Sequence, residues 1–241
     1  MPKEGTPTSD GRPDSSFLTK EQRRTKDSDI AFLLRHYQNL IPDTVGQTDV
    51  DSFKNVPDSM KRWARDQVAW FRSRFKDDKN GEHAVRGSAL EALAAVEMDR
   101  HNWLDAVIAP VSTLDDYKNG VDMVGEFVDP DTGEIARCAF DLGSTVREDK
   151  AGIKLNKTTR GAEVRFFRSR VETENGEGIE MRLHDIPMVI LGVTGDILSE
   201  VGASIRKGNE VGPDHPVGAV FLRQAEIQVG LQIRRLAADF V

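Results

Sequence analysis

The chain has 241 residues, 33 Lys+Arg against 40 Asp+Glu for a net charge of -7, and 38% hydrophobic residues, a composition that suits a globular chain able to bury a core. The lone Cys138 excludes an internal disulfide framework and places the expectation in a reducing, cytoplasmic setting, and five scattered histidines make no structural zinc set. The longest apolar run, Ile186 to Val193, is far short of the roughly 20 residues of a membrane span, and the start MPKEGTPTSDGRPDSS has no signal-peptide core.

Residues 1–26 are Pro, Gly, Ser, Thr and charge without period, which predicts a disordered tail. Ile30, Leu33 and Leu34 predict a helix over Ser28–Gln38. A second is predicted from Asp58, as N-cap, to Lys76, with Met60, Ala64, Val68, Phe71 and Phe75 recurring every three or four residues. Its other faces carry Lys61, Arg62, Arg65, Arg72 and Arg74, which reads either as a solvated face or as a phosphate-contacting one. Trp63, Trp70 and Phe71 are expected to pack in the core rather than to stack on bases. A third helix is expected over Ala84–Arg100.

The period then changes. Asp105–Val111, Val121–Val128 and Ile135–Gly143 read as strands, the last two joined by Asp129-Pro130-Asp131-Thr132-Gly133, a hairpin turn in which Pro fixes φ and Gly accepts positive φ. Glu163–Val171 and Pro187–Thr194 read as further strands. A last helix, from near Asp214 to Asp239, is expected to face Val220, Ile227, Leu231 and Leu236 inward. The fold expected is α/β, a central mixed β-sheet flanked by helices, with 1–26 a tail, 27–82 a helical extension and 83–241 the core domain.

Charge is unevenly spread. Between Pro110 and Asp141 there are eight acidic residues and two basic, and between Thr145 and Arg170 eight basic and three acidic. The strand period of two puts Asp122, Val124 and Glu126 on one face, and Arg137, Ala139 and Asp141 on one face of the next strand. Across the hairpin, Asp122 and Asp141 fall at the same end. They are either two ligands for one divalent cation or two capping aspartates at a sheet rim.

The order of these features resembles the core of the PD-(D/E)XK nuclease superfamily, the restriction-endonuclease-like fold, over residues 84–194. Arg86-Gly87-Ser88-Ala89-Leu90-Glu91 resembles the start of its Glu-bearing helix, Asp115 to Asp122 its second motif, and Phe140-Asp141-Leu142-Gly143 its third. The resemblance implies Glu91, Asp122 and Asp141 as metal ligands and catalytic residues, Mg²⁺ (or Mn²⁺) as cofactor, and hydrolysis of nucleic-acid phosphodiester bonds. It implies a nucleic-acid partner, DNA ahead of RNA, and allows a homodimer, with no membrane. Gly143 stands where the third motif has lysine, so the lysine must come from later in the chain; Lys154 is favoured over Lys150 and Lys157. The alternative is a catalytically inactive scaffold of the same fold that binds nucleic acid or a protein.

Two other resemblances are weaker. Asp141-Leu142-Gly143-Ser144-Thr145 resembles the phosphate loop of the actin and sugar-kinase fold, but too little chain follows for a second lobe. It also resembles the aspartic-protease turn, with Leu142 replacing a threonine. His101 and His184 read as structural residues, and Cys138 as a core residue.

Overall fold

The computed structural model describes residues 19–41, 47–74, 82–143, 161–175, 177–212 and 214–239. Helix α1 spans Lys20–Gln38, so residues 20–26 are helical rather than tail. The start is fixed by a capping box: Gln22 N–H donates to the Thr19 hydroxyl at 3.2 Å and Thr19 N–H to the Gln22 amide oxygen at 2.8 Å. The first turns are exposed, so they carry no apolar period; the cap is the only local signal.

Helices α2 (Asp58–Arg74) and α3 (Glu82–His101) follow, then β1 (Val107–Pro110), α4 (Thr113–Asn119), β2 (Met123–Val128) and β3 (Ile135–Gly143). After β4 (Ala162–Glu174), β5 (Glu177–Ile186) and β6 (Met188–Gly192) come α5 (Gly195–Arg206) and α6 (Pro216–Asp239). The four-stranded sheet is ordered β1-β2-β3-β6, antiparallel except for the parallel pair β3–β6, and β4–β5 form a separate hairpin. The architecture is therefore mixed α/β, with a mixed central sheet flanked by helices. In the β2–β3 turn the Asp129 carboxylate accepts from Asp131 N–H and Thr132 N–H at 2.8 and 3.0 Å, and Gly133 takes φ 72°.

Two apolar clusters define the layers. Ile30, Leu33, Leu93, Met98, Phe140, Leu191 and Leu198 pack between one sheet face and the helices. Val124, Ala139, Val164, Phe167, Leu183 and Met188 pack between the other face and the β4–β5 hairpin. Helix α1 thus shares the main core instead of forming an extension. It lies so close to α5 that a Cβ on Gly202 would sit 2.3 Å from the Asp29 carbonyl oxygen. The buried Tyr37 hydroxyl donates to Glu97 of α3 at 2.5 Å.

Elements α4, β5 and α5 lie outside the sequence expectation. Helix α4 is only seven residues long, and β5 (EGIEMRLHDI) is mostly polar because one side faces solvent. The inward set expected of α6 also needs correction: Ile227 and Leu231 are exposed, while Val220 packs on the core. The face turned to the sheet is polar. Gln224 pairs with both the N–H and the C=O of Gly192 at 2.8 Å, and Gln228 with those of Ile190 at 2.8 and 2.7 Å. Gln232 donates to the Met188 carbonyl at 2.8 Å. Spaced four apart, the three amides act as a further strand along the open edge of β6. Among the described residues no helix is long and apolar enough to cross a membrane.

Candidate functional site

The site is assembled where α3, α4 and the β2–β3 pair meet. Ser112 caps α4 by accepting from Asp115 N–H at 3.1 Å, and Gly120 ends it in the left-handed region at φ 61°, ψ 45°. That turn delivers Asp122 to the residue just before β2. Its N–H donates to the Phe140 carbonyl at 2.9 Å, and its carboxylate accepts from Leu142 N–H. Asp122 therefore grips β3 on both sides of Asp141. The ladder ends with Met123 facing Phe140, and Asp122 lies one residue beyond it, bonded to the residues on either side of Asp141. Asp141 is buried, and Glu91 approaches from α3.

A fourth carboxylate joins them. Asp116 of α4 accepts from the Gln47 amide at 2.6 Å and lies with Glu91 and Asp122 in a pocket of about 410 Å³, edged by Ser88 and Tyr117. Burial raises the Asp122 carboxyl well above the usual range, and the charges of Glu91, Asp116 and Asp141 raise it further. Asp116 is pushed up to about 6, by burial first and also by the charge of Asp141, against hydrogen bonds from Gln47 and Asp122. The electrostatics thus bring Glu91, Asp116, Asp122 and Asp141 into one field.

The sequence expectation missed Asp116 and Gln47. Asp115 and Asp116 are adjacent and about 100° apart around the helix, so one carboxylate turns inward and the other to the pocket. The inward one, Asp115, is fully buried and accepts from Arg165 N–H, Phe166 N–H, Asn119 and the Ser112 hydroxyl at 2.7–3.0 Å, clamping β4 to α4. Gln47 lies in irregular chain held by the Thr48 N–H to Val111 carbonyl bond at 3.0 Å, and nothing in the local pattern marks it.

The remaining acidic and basic residues are largely consumed by the fold. Glu126, on the same strand face as Asp122, is fully buried and accepts from Arg137, the Ser169 hydroxyl and Arg170 N–H. In the basic stretch after the hairpin the described arginines are ion-paired: Arg165 to Glu163, Arg168 to Glu180 and Arg170 to Asp99. Lys150, Lys154 and Lys157 lie outside the described residues. His101 pairs with Glu97 at 3.2 Å, His184 is exposed, and burial pushes the Cys138 thiol up to about 12. Trp70 corrects a further expectation, since it is 50% exposed rather than packed in the core.

The donor set is all oxygen, the kind a hard divalent cation takes, and Asp116 and Asp122 are raised by burial first and by neighbouring carboxylates second. By chemistry Glu91, Asp116, Asp122 and Asp141 suit Mg²⁺ or Mn²⁺. By geometry, among the described residues, no group of three or more His, Cys, Asp or Glu side chains is placed to hold a metal ion. Comparison with family models, curated proteins and solved structures finds no match.

Proposed function

We propose that the chain is a metal-dependent nuclease that hydrolyses nucleic-acid phosphodiester bonds, of the restriction-endonuclease-like, PD-(D/E)XK kind. The observation that carries this reading is the placement of Asp122 beside Asp141 at one end of the β2–β3 ladder, inside a field shared with Glu91 and Asp116. The order of a Glu-bearing helix, an Asp-led strand and a hairpin-linked strand with an acid supports it too.

Asp122, Asp141 and Glu91 would hold Mg²⁺ or Mn²⁺, with Asp116 beside them. When bound, that ion supplies charge stabilisation at a scissile phosphate and a more acidic water. Asp122 has a second task. Its bond from Leu142 N–H fixes the main chain next to Asp141, so it sets where both carboxylates stand. Gln47 holds Asp116 in place, and burial raises the Asp116 and Asp122 carboxyls, so a cation would compete with their protons for the same oxygens.

The test is incubation of the full chain with plasmid and with single-stranded DNA or RNA in Mg²⁺ or Mn²⁺, beside Asp122→Ala and Asp141→Ala. Cleavage that requires the ion and falls at least a hundredfold in either variant is the expected result. Intact substrate in every lane, with no rise in melting temperature on adding the ion, overturns it. Gly143 in place of the third-motif lysine favours the second reading, an inactive scaffold, and that outcome would select it.

A further inference from the structure

The first basic segment differs from the second in what it leaves exposed. Helix α2 holds five basic residues against two acidic ones, and Ala64 is its only fully buried residue. Of its aromatic side chains, Trp63 is partly buried against Val50, Phe53 and Phe166, while Trp70 stands open. Trp70 is 50% exposed, with the Arg74 guanidinium 5.3 Å over its ring. Two turns back on the same face, Trp63 is flanked by Lys118 at 4.6 Å and Arg165 at 5.3 Å.

This face runs into the acidic pocket through a continuous set of rings. Trp70 meets Phe71 edge-on at 4.9 Å, Phe71 stacks on Tyr117 at 6.0 Å with an interplanar angle of 10°, and Tyr117 lines the pocket beside Asp116 and Asp122. An open indole with a cation over its face, next to more cations, suits a flat base on a phosphate chain. In a duplex the base faces are already stacked on one another and cannot reach an indole on a helix surface.

We propose that α2 is the strand-binding wall of the site and that its occupant is single-stranded nucleic acid. An unpaired base stacks on Trp70, Arg74 and Lys118 meet the flanking phosphates, and the strand passes the Phe71–Tyr117 stack to the carboxylates. The proposal rests on the nuclease reading for its direction of travel, but binding is measured without catalysis.

The experiment titrates the full chain into a short fluorescein-labelled oligothymidine, and into a blunt duplex of equal length, in EDTA so that no cleavage occurs. The expected result is tighter binding of the single strand, weakening with salt. Trp70→Ala should lose about tenfold or more in single-strand affinity, the range expected of one base–aromatic stack, and Trp70→Phe should keep most of it. Trp70→Ala should melt like the parent, since the side chain is half exposed. Unchanged affinity in Trp70→Ala overturns the proposal, as does duplex binding equal to or tighter than single-strand binding, or no binding of either. Binding lost with Trp70→Ala while no ion-dependent cleavage is seen would keep the strand-binding wall and sink the nuclease. Cleavage that Asp122→Ala abolishes and Trp70→Ala leaves untouched would do the reverse.

Discussion

Burial and the neighbouring charge of Asp141 hold the Asp116 carboxyl up to about 6, against about 3.8 in an unfolded chain. The folded state therefore binds this proton more tightly than the unfolded one. Its contribution to stability is full below about pH 3.8 and is lost as pH rises through about 6. Asp116→Asn keeps the shape and a partner for Gln47 while removing that charge. In EDTA it should raise the melting temperature above pH 6 by a few degrees, on the order of 1 kcal/mol, and change little at pH 4. A melt of parent and variant across that range checks this; equal curves at pH 7.5 would mean that ionising Asp116 in its buried place carries no penalty. The same logic predicts that Mn²⁺ or Mg²⁺ stabilises the parent more at pH 7.5 than at pH 5, because the ion competes with the proton. Asp122→Asn should abolish the gain.

At the scale of elements, one contact fixes α6 on the sheet and another fixes α1 on α5. The Gln224, Gln228 and Gln232 ladder pairs with main-chain groups along the open edge of β6. Gln228→Leu leaves the Ile190 N–H and C=O without their partner, and should cost about 1–3 kcal/mol in a denaturant titration. Gln228→Glu should be intermediate, since a carboxylate can still accept from Ile190 N–H. Gly202→Ala drives a methyl into the Asp29 carbonyl and forces α1 off α5. A loss of about 2 kcal/mol or more is expected, within the range of overpacked cores. The element scale also explains what local pattern missed. The first turns of α6 put Val217 and Phe221 into the core, but further along the side against β6 is glutamine, so Ile227 and Leu231 read as core although they are exposed.

Across the whole molecule, α1 closes the main core with Ile30, Leu33 and Tyr37, so removing residues 1–41 should abolish the single cooperative melt rather than shorten the chain harmlessly. Circular dichroism of that truncation checks it; a sharp transition near the parent's would show that α3 and α5 stand without α1. The sequence by itself determined the hairpin and its turn, the span of β3 from Ile135 to Gly143, helix α3, and the placement of Asp122 and Asp141 at one strand end. Those features follow from period and turn chemistry, which act over a few residues. Only the tertiary structure decided which charges remain available. Glu126 and Asp115 look no different from Asp122 and Asp116 along the chain, yet the first pair is spent tying β4 to the sheet and to α4. Arg165, Arg168 and Arg170 look as basic as Arg72 and Arg74, yet their charge is met by Glu163, Glu180 and Asp99. Charge acts through space at a range set by burial and screening, and the partners of these three arginines lie 2 to 71 residues away, so no window of sequence contains the sum.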